Sequence, residues 1–405
     1  MSDPVTDPFS AGRLGPITLR NRFIKSATYE GMSPGGVASE ALVEHHRRLA
    51  EGGVGMTTVA YAAVHPDGRT FDDQLGMVPE GIPALRALTD AVHEAGAAAA
   101  VQLGHCGFFS KLRPADGGRP RGPSPTFNKY GAASGLPWAR AMTEAEIEAI
   151  PGQFVAAAQV AAEAGFDAVE LHLGHGYLLS QFLSPATNRR RDAWGGSPSA
   201  RMRLPLEVVR AVREAVGDSL AVTAKLNVED GFAGGATVED ACALAEQLDA
   251  AGIDGLTTSG GSTSRNPLFL MRGQRPLAAM VAVERSRLQR VALRLLGPAV
   301  LRRYPFEETF FRAPGQQLLA RVECPVILLG GVVSRANVQQ AMADGFSFVQ
   351  MGRALLADPD LVQRFERGEA ERTRCTACNQ CVAAMDDGGV RCVLDDPEGR
   401  FQKRT

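Results

Sequence analysis

One local pattern recurs along the chain and limits its architecture more than any other feature. An alanine-rich helical run leads into a glycine and then a short apolar run. It appears in "RRLAEGGVGMTTVAY", "AVHEAGAAAAVQLGH", "AAEAGFDAVELH", "LDAAGIDGLTTSGG" and "AMADGFSFVQMGR". Glycine supplies the left-handed residue that ends a helix. A short continuous apolar run suits a strand covered on both faces. Repetition of this unit predicts a parallel sheet with crossover helices. Strands are expected near residues 22–27, 55–60, 97–103, 167–173, 219–226, 253–259, 325–330 and 346–351. Helical periodicity lies near 40–51, 81–95, 143–164, 199–216, 237–251, 314–322 and 334–343. Eight such units predict an α/β chain folded as a single (β/α)8 TIM barrel. A doubly wound sheet is the rival, but no GxGxxG follows the first strand.

Composition narrows the function classes. A chain of 405 residues, 45% hydrophobic, can bury a large core. Its net charge of −2 gives no electrostatic footprint for nucleic acid. No apolar run of about 18 residues predicts a membrane span. The opening "MSDPVTDPFS" lacks the basic and apolar regions of a signal peptide, so a cytoplasmic chain is expected. Of seven cysteines, Cys375, Cys378, Cys381 and Cys392 crowd into the last 31 residues. That clustering argues for a metal site over a disulfide scaffold. Cys106, Cys242 and Cys324 read as ordinary small buried residues.

The stretch "ELHLGHGYLLSQFLSPATNRRRDAWGGS", residues 170–197, leaves the fourth strand. Barrels of this type carry their chemistry on the loops at that end of the strands. His172 and His175 therefore face the site. By residue type alone the histidines are a structural pair, metal ligands or hydrogen-bond donors. Two histidines lack the third protein ligand that catalytic zinc needs.

With those residues placed, the chain resembles the old yellow enzyme family of FMN-dependent oxidoreductases over residues 8–370. The resemblance rests on "RNRFIKSATYEG", "VHPDGR", "VQLGHCG", "HLGHGYLLSQFLSPATNRRRDAWGGS" and "VQMGRALLADPDL", in family order. It implies bound FMN, NAD(P)H as electron donor, and reduction of activated C=C bonds in α,β-unsaturated carbonyl compounds. His172 and His175 then grip the substrate's carbonyl oxygen, where two N–H donors stabilise developing negative charge. Tyr177 matches the proton donor, a group that keeps its proton at neutral pH. Gln102 matches the residue on the flavin pyrimidine edge, where an amide can donate and accept together. Lys225 stands where relatives often carry arginine near flavin N1 and O2, as a point charge in place of a fork. Gly330, Gly331, Gly352 and Arg353 fall at the ends of strands seven and eight, the usual phosphate position. Ser26, Ala27, Thr28, Ala60 and Tyr61 are expected to line the flavin. Relatives place a small Thr or Cys where this chain has Tyr29, so either Thr28 or the Tyr29 phenol takes that role.

Two segments stand apart from the barrel of residues 1–370. Residues 263–313, ten arginines against three acids, form an insertion that reads as a lid-like segment or a solvated rim helix. The tail, 371–405, has the spacing C-x2-C-x2-C-x10-C. It is similar to the 4Fe–4S segment of the dienoyl-CoA reductase and trimethylamine dehydrogenase branch. Four thiolates suit iron–sulfur, zinc or a tail that has lost its metal, with iron–sulfur favoured over zinc. The alternatives to an ene-reductase are an iron–sulfur flavoenzyme of that branch and a non-redox phosphate-binding aldolase or isomerase, with Lys225 as Schiff-base candidate. The expected partner is a small molecule; a homo-oligomer is left open.

Overall fold

The expected strands close on one another. In a computed structural model, which describes residues 7–395 apart from Arg285 and Asp386, eight parallel strands form a closed barrel. They are β1 (Phe23–Lys25), β2 (Met56–Ala63), β3 (Ala98–Gly104) and β4 (Ala168–Leu173), then β5 (Ala221–Asn227), β6 (Gly255–Ser259), β7 (Val326–Leu329) and β8 (Phe348–Met351). Each pairs with the next in sequence, and β8 returns to β1. β2, β4, β5, β6 and β8 are buried at every position. A strand with barrel core inside and helices outside has no solvent face, which is why no polar alternation marks it. The repeat's glycines do what the pattern demands: Gly96 and Gly165 sit at φ 75° and 85°, conformations costly for a residue with a Cβ.

A hairpin of Gly12–Leu14 and Ile17–Leu19 closes the N-terminal end of the barrel. Its Leu14 and Leu19 pack with Ile24, Met56, Ala168 and Phe348 from the strands. The opposite end is therefore the open one. The expected helix over 143–164 is split into Glu144–Glu148 and Ile150–Glu163, with Pro151 opening the second. The loop after β3 builds a small sheet of its own from Arg121–Gly122, Thr126–Phe127 and Trp138–Ala141, which residue pattern did not reveal.

The 263–313 region carries helices Pro267–Met271, Leu277–Val283 and Arg287–Val300. The second packs on the tail: Ala279 is buried against Ala383 and Ala384 of helix Cys381–Ala384. Gln274 donates its N–H to the Ala377 carbonyl at 3.0 Å, and Asn379 Nδ2 donates to the Gln274 carbonyl at 2.9 Å. The outer face of Arg287–Val300 leaves Val291, Leu295 and Leu296 exposed. Residues 396–405 of the tail lie outside the described residues, as do residues 1–6. Among the described residues no helix is long and apolar enough to cross a membrane. Cys106 and Cys242 are buried, whereas Cys324 is half-exposed.

Candidate active site

β4 delivers the central cluster. It ends at Leu173, and the chain turns through Gly174 and His175 before Tyr177 opens the short helix Leu178–Leu183. His175 adopts φ 57°, left-handed for a residue with a Cβ. Such conformations persist only where neighbours over-determine them. Here the His175 N–H is donated to Asn227 Oδ1 at 2.9 Å, and its carbonyl accepts from Thr263 N–H at 2.8 Å. Asn227 is itself fixed by Asp230 Oδ1 and the Gly261 carbonyl, both at 2.8 Å. The turn brings three rings together. His172 and His175 meet edge-on with centroids 4.8 Å apart, and His172 stacks on Tyr177 at 4.3 Å.

Both imidazoles are neutral. Burial, then His175 and Lys225, hold His172 well below its ordinary value. Burial and Lys225 bring His175 to about 3. Gly174 N–H approaches His172 Nδ1 at 3.4 Å, which favours the proton on His172 Nε2. His175 Nε2 lies 2.6 Å from Ser259 Oγ. Burial and Tyr61 push the Tyr177 phenol well above its ordinary value, so it stays protonated. The pair can thus donate neutral N–H bonds beside a phenol that holds its proton.

Of the rings around this cluster, Tyr61 and Tyr29 are expected near the flavin, whereas no motif announces Phe109 or Phe71. Tyr61 comes from a register shift in β2 between Val59 and Ala62, a bulge that re-aims its side chain. Its ring lies 4.6 Å from Tyr177, and its hydroxyl reaches Thr70 Oγ1 at 3.3 Å. Phe109 covers Tyr177 at 5.0 Å, while Tyr29 packs between Tyr61 and Phe71. Tyr29 therefore joins an aromatic wall, and Thr28 turns its hydroxyl to the Ser26 carbonyl at 3.0 Å.

Deeper in the barrel mouth, Glu170 gathers four side chains. Its Oε1 accepts from Gln102 Nε2 at 2.7 Å and pairs with Lys225 Nζ at 2.9 Å. Its Oε2 accepts from Gln350 Nε2 at 2.9 Å and Thr257 Oγ1 at 3.2 Å. Lys225 also donates to Ser26 Oγ at 3.2 Å. So Gln102, Lys225 and Ser26 do converge, around a carboxylate that no motif announced. Gln350 Oε1 is buried without a partner. A second buried pair, Lys25 Nζ with Glu30 Oε1 at 2.9 Å, lies beside it, and Glu30 accepts the Ala60 N–H at 3.1 Å. Glu30, His45 and His46 bring ligating atoms within 4.8 Å of one another, but Lys25 already supplies that carboxylate's cation.

The glycines divide. A Cβ on Gly352 would meet nothing nearer than Ser26 Cβ at 4.0 Å, so that strand end is open. A Cβ on Gly330 would lie 2.6 Å from Phe311, and one on Gly331 2.6 Å from the Glu307 carbonyl. Their Cβ sides face protein. Arg353 turns to the tail: its Nη1 donates to Asn379 Oδ1, and to the Arg272 carbonyl at 2.9 Å. It lines one cavity with Cys375, Cys378, Cys381 and Cys392.

Comparison with known proteins places the chain in a family. The chain is 42% identical over 394 residues to a 4,4'-dithiodibutanoate disulfide reductase of Rhodococcus erythropolis, covering 97% of this chain and 96% of that one. It is 31% identical over 400 residues to an NADH oxidase of Thermoanaerobacter brockii, but spans only 56% of that protein. Among solved structures it resembles 2-naphthoyl-CoA reductase bound to 2-naphthoyl-CoA (TM-score 0.79, 25% identity, 98% of this chain, 58% of that one). It also resembles morphinone reductase in complex with tetrahydroNAD (TM-score 0.71, 25% identity, 92% and 93%). These likenesses, with a family model matching residues 8–263, set aside a non-redox aldolase or isomerase. The chain belongs to the NADH:flavin oxidoreductase / NADH oxidase family: it is an FMN-dependent, NAD(P)H-using flavin oxidoreductase of the old yellow enzyme type.

Proposed function

We propose that the chain is an ene-reductase acting on the activated C=C bond of α,β-unsaturated carbonyl compounds. The carrying observation is the trio His172, His175 and Tyr177, two neutral N–H donors beside a protonated phenol, with His172 and Tyr177 buried and His175 partly exposed. Bound FMN supplies the hydride that NAD(P)H provides. The residues present fit FMN: Gln102 and Lys225 stand together at the mouth, Gln350 Oε1 lacks a partner there, and Gly352 leaves room for a phosphate. Lys225 would compensate charge on the N1–O2 side, Gln102 would meet the pyrimidine edge, and Ser26, Ala27, Thr28 and Ala60 would line the ring. In this reading His172 and His175 hold the carbonyl oxygen and stabilise the charge that develops on it. Tyr177 holds the proton that Cα receives, and Tyr61, against Tyr177, orients the phenol.

Tyr177→Phe tests this. It keeps the ring and removes the acidic O–H. A lost general acid costs about 10²–10⁴-fold, so transfer to an enone slows by that order while reduction by NAD(P)H is unchanged. Equal slowing of both half-reactions makes Tyr177 a packing residue instead.

A second reading, reductive cleavage of a disulfide, is supported by the 42% identical relative of nearly equal length. The two share the barrel site and differ in the acceptor.

The tail is read as an iron–sulfur site in preference to zinc on its C-x2-C-x2-C-x10-C spacing, and its four cysteines line one cavity. Ala377 and Asn379, between the first three cysteines, adopt φ 53° and 60°, as in a loop wrapped around a bulky guest. Cys375, Cys378, Cys381 and Cys392 would hold the cluster, which supplies one-electron transfer.

A further inference from the structure

The end of β8 sets a guanidinium against the tail. Arg353 lines one cavity with Cys375, Cys378, Cys381 and Cys392. Its Nη1 donates to neutral oxygens, Asn379 Oδ1 and the Arg272 carbonyl at 2.9 Å. Asn379 is buried between Cys378 and Cys381, and its Nδ2 donates to the Gln274 carbonyl at 2.9 Å. The guanidinium is therefore fixed by the tail and by the 263–313 insertion together. The Phe306 ring centre lies 5.9 Å from its Cζ. A guanidinium carries further N–H donors on Nε and Nη2. Among the described residues neither atom of Arg353 has a hydrogen-bond partner.

Other arginines around the tail are met by acids. Arg272 pairs with Glu307, Arg372 with Glu308, and Arg374 with both Asp358 and Asp395. Among the described residues no carboxylate pairs with Arg353. Burial lowers its pKa, and the charges that oppose this come from Cys375, Cys381 and Cys378. An arginine does not shed its proton to escape a partly desolvated site. A charge kept there calls for an opposite one. The four cysteines of the cavity supply it when they hold a cluster. An iron–sulfur centre bound by thiolates is anionic and gains one more negative charge on one-electron reduction. Its net charge and the hydrogen bonds to its sulfurs are among the factors that set its potential.

We propose that Arg353 is the counter-ion of the tail's iron–sulfur cluster and holds the cluster's reduction potential up. This rests on the iron–sulfur reading of the tail, and not on which acceptor the barrel reduces. The same guanidinium chemistry would suit a flavin phosphate beside Gly352, and the test separates the two anions.

FMN-loaded enzyme purified without oxygen is assayed for FMN, iron and acid-labile sulfide, then titrated electrochemically with mediators. The reduced cluster is read by electron paramagnetic resonance and the flavin by absorbance. Arg353→Gln keeps an amide donor toward Asn379 and removes the charge; Arg353→Lys restores the charge. In Arg353→Gln, reduction of the cluster is expected to become about tenfold less favourable, the scale of one hydrogen bond to a charged group. For one electron that is a midpoint about 59 mV lower. Arg353→Lys recovers more than half of the shift. An unchanged cluster potential in Arg353→Gln overturns the proposal, and an unchanged potential with FMN lost assigns the guanidinium to the flavin phosphate. A drop that Arg353→Lys does not recover makes Arg353 a packing residue and overturns it too. If Arg353→Gln assembles no cluster, Arg353→Lys decides: iron and sulfide restored support the charge, and both variants empty overturn it. If wild type binds no sulfide even after reconstitution with iron and sulfide, the iron–sulfur reading itself fails and the proposal falls with it.

Discussion

Replacing Glu170 by glutamine tests the buried hub beneath the site. The carboxylate is the counter-ion of Lys225 at 2.9 Å, and both side chains are buried. An amide keeps the shape. Its oxygen still accepts from Gln102 and Lys225, and its NH2 meets Gln350, whose unpartnered Oε1 can turn to accept. The hydrogen bonds survive and the charge alone is lost. Removing one partner of a buried pair costs about 3–5 kcal/mol; with the polar contacts kept, the lower end applies, about 3 kcal/mol. At about 2 °C per kcal/mol for a large chain, the midpoint falls by about 6 °C. The pH dependence has a fixed sign. Burial already lowers the Lys225 pKa against the opposing pull of Glu170, so losing Glu170 lowers it further. A lysine depressed in the folded state binds fewer protons there than when unfolded, so stability rises with pH. The deficit of Glu170→Gln is therefore largest near pH 7 and narrows toward pH 10. Thermal unfolding by circular dichroism, with FMN released so that flavin affinity does not enter, is run on wild type, Glu170→Gln, Lys225→Met and the double variant. The double variant should recover more than half of the single loss. Strict additivity, or a deficit independent of pH, refutes the reasoning.

His172→Ala and His175→Ala should each slow alkene reduction by up to a few hundredfold and weaken phenol binding, with FMN retained; unchanged single-turnover rates contradict the carbonyl grip. Asn227→Ala removes the acceptor that holds His175 at φ 57°, a conformation costing about 1–3 kcal/mol. It should raise the acceptor KM about tenfold and leave NAD(P)H reduction unaffected in stopped flow. With His175 shifted down to about 3, His172 well below its ordinary value and Tyr177 well above its own, acceptor turnover should be flat from pH 6 to 9. A bell-shaped profile from either group contradicts their protonation states. Cys378→Ser should lower iron and acid-labile sulfide in anaerobically purified protein while FMN content holds. Wild-type protein with zinc and no sulfide rejects the cluster.

The barrel could be read because its strands are local objects. β2 and β4 announce themselves as apolar runs behind a glycine, and each finds its partner in the next unit. His172, His175 and Tyr177 share one turn, so sequence adjacency is spatial adjacency. Glu170 is different. Its partners Thr257 and Gln350 lie 87 and 180 positions away, and only barrel closure brings them together. Within "VELH" it reads as one polar residue in a strand. Arg353 follows Gly352 in sequence, where a phosphate is expected, but its guanidinium turns to Asn379 of the tail, a contact between residues 26 positions apart that no local pattern marks. Tyr61 depends on a bulge, and a one-residue register change leaves no mark on composition.

The central claim is that reduced enzyme delivers hydride to an alkene carbon and Tyr177 supplies the proton. The direct measurement is one anaerobic turnover in D2O: enzyme reduced with one equivalent of NAD(P)H, mixed with 2-cyclohexenone, with flavin absorbance followed and the product analysed by mass and NMR. The account predicts that the oxidised flavin spectrum returns and the product carries one solvent deuterium, at Cα and not Cβ, and that Tyr177→Phe stalls the return. Flavin that stays reduced with enone but reoxidises with a disulfide would contradict it.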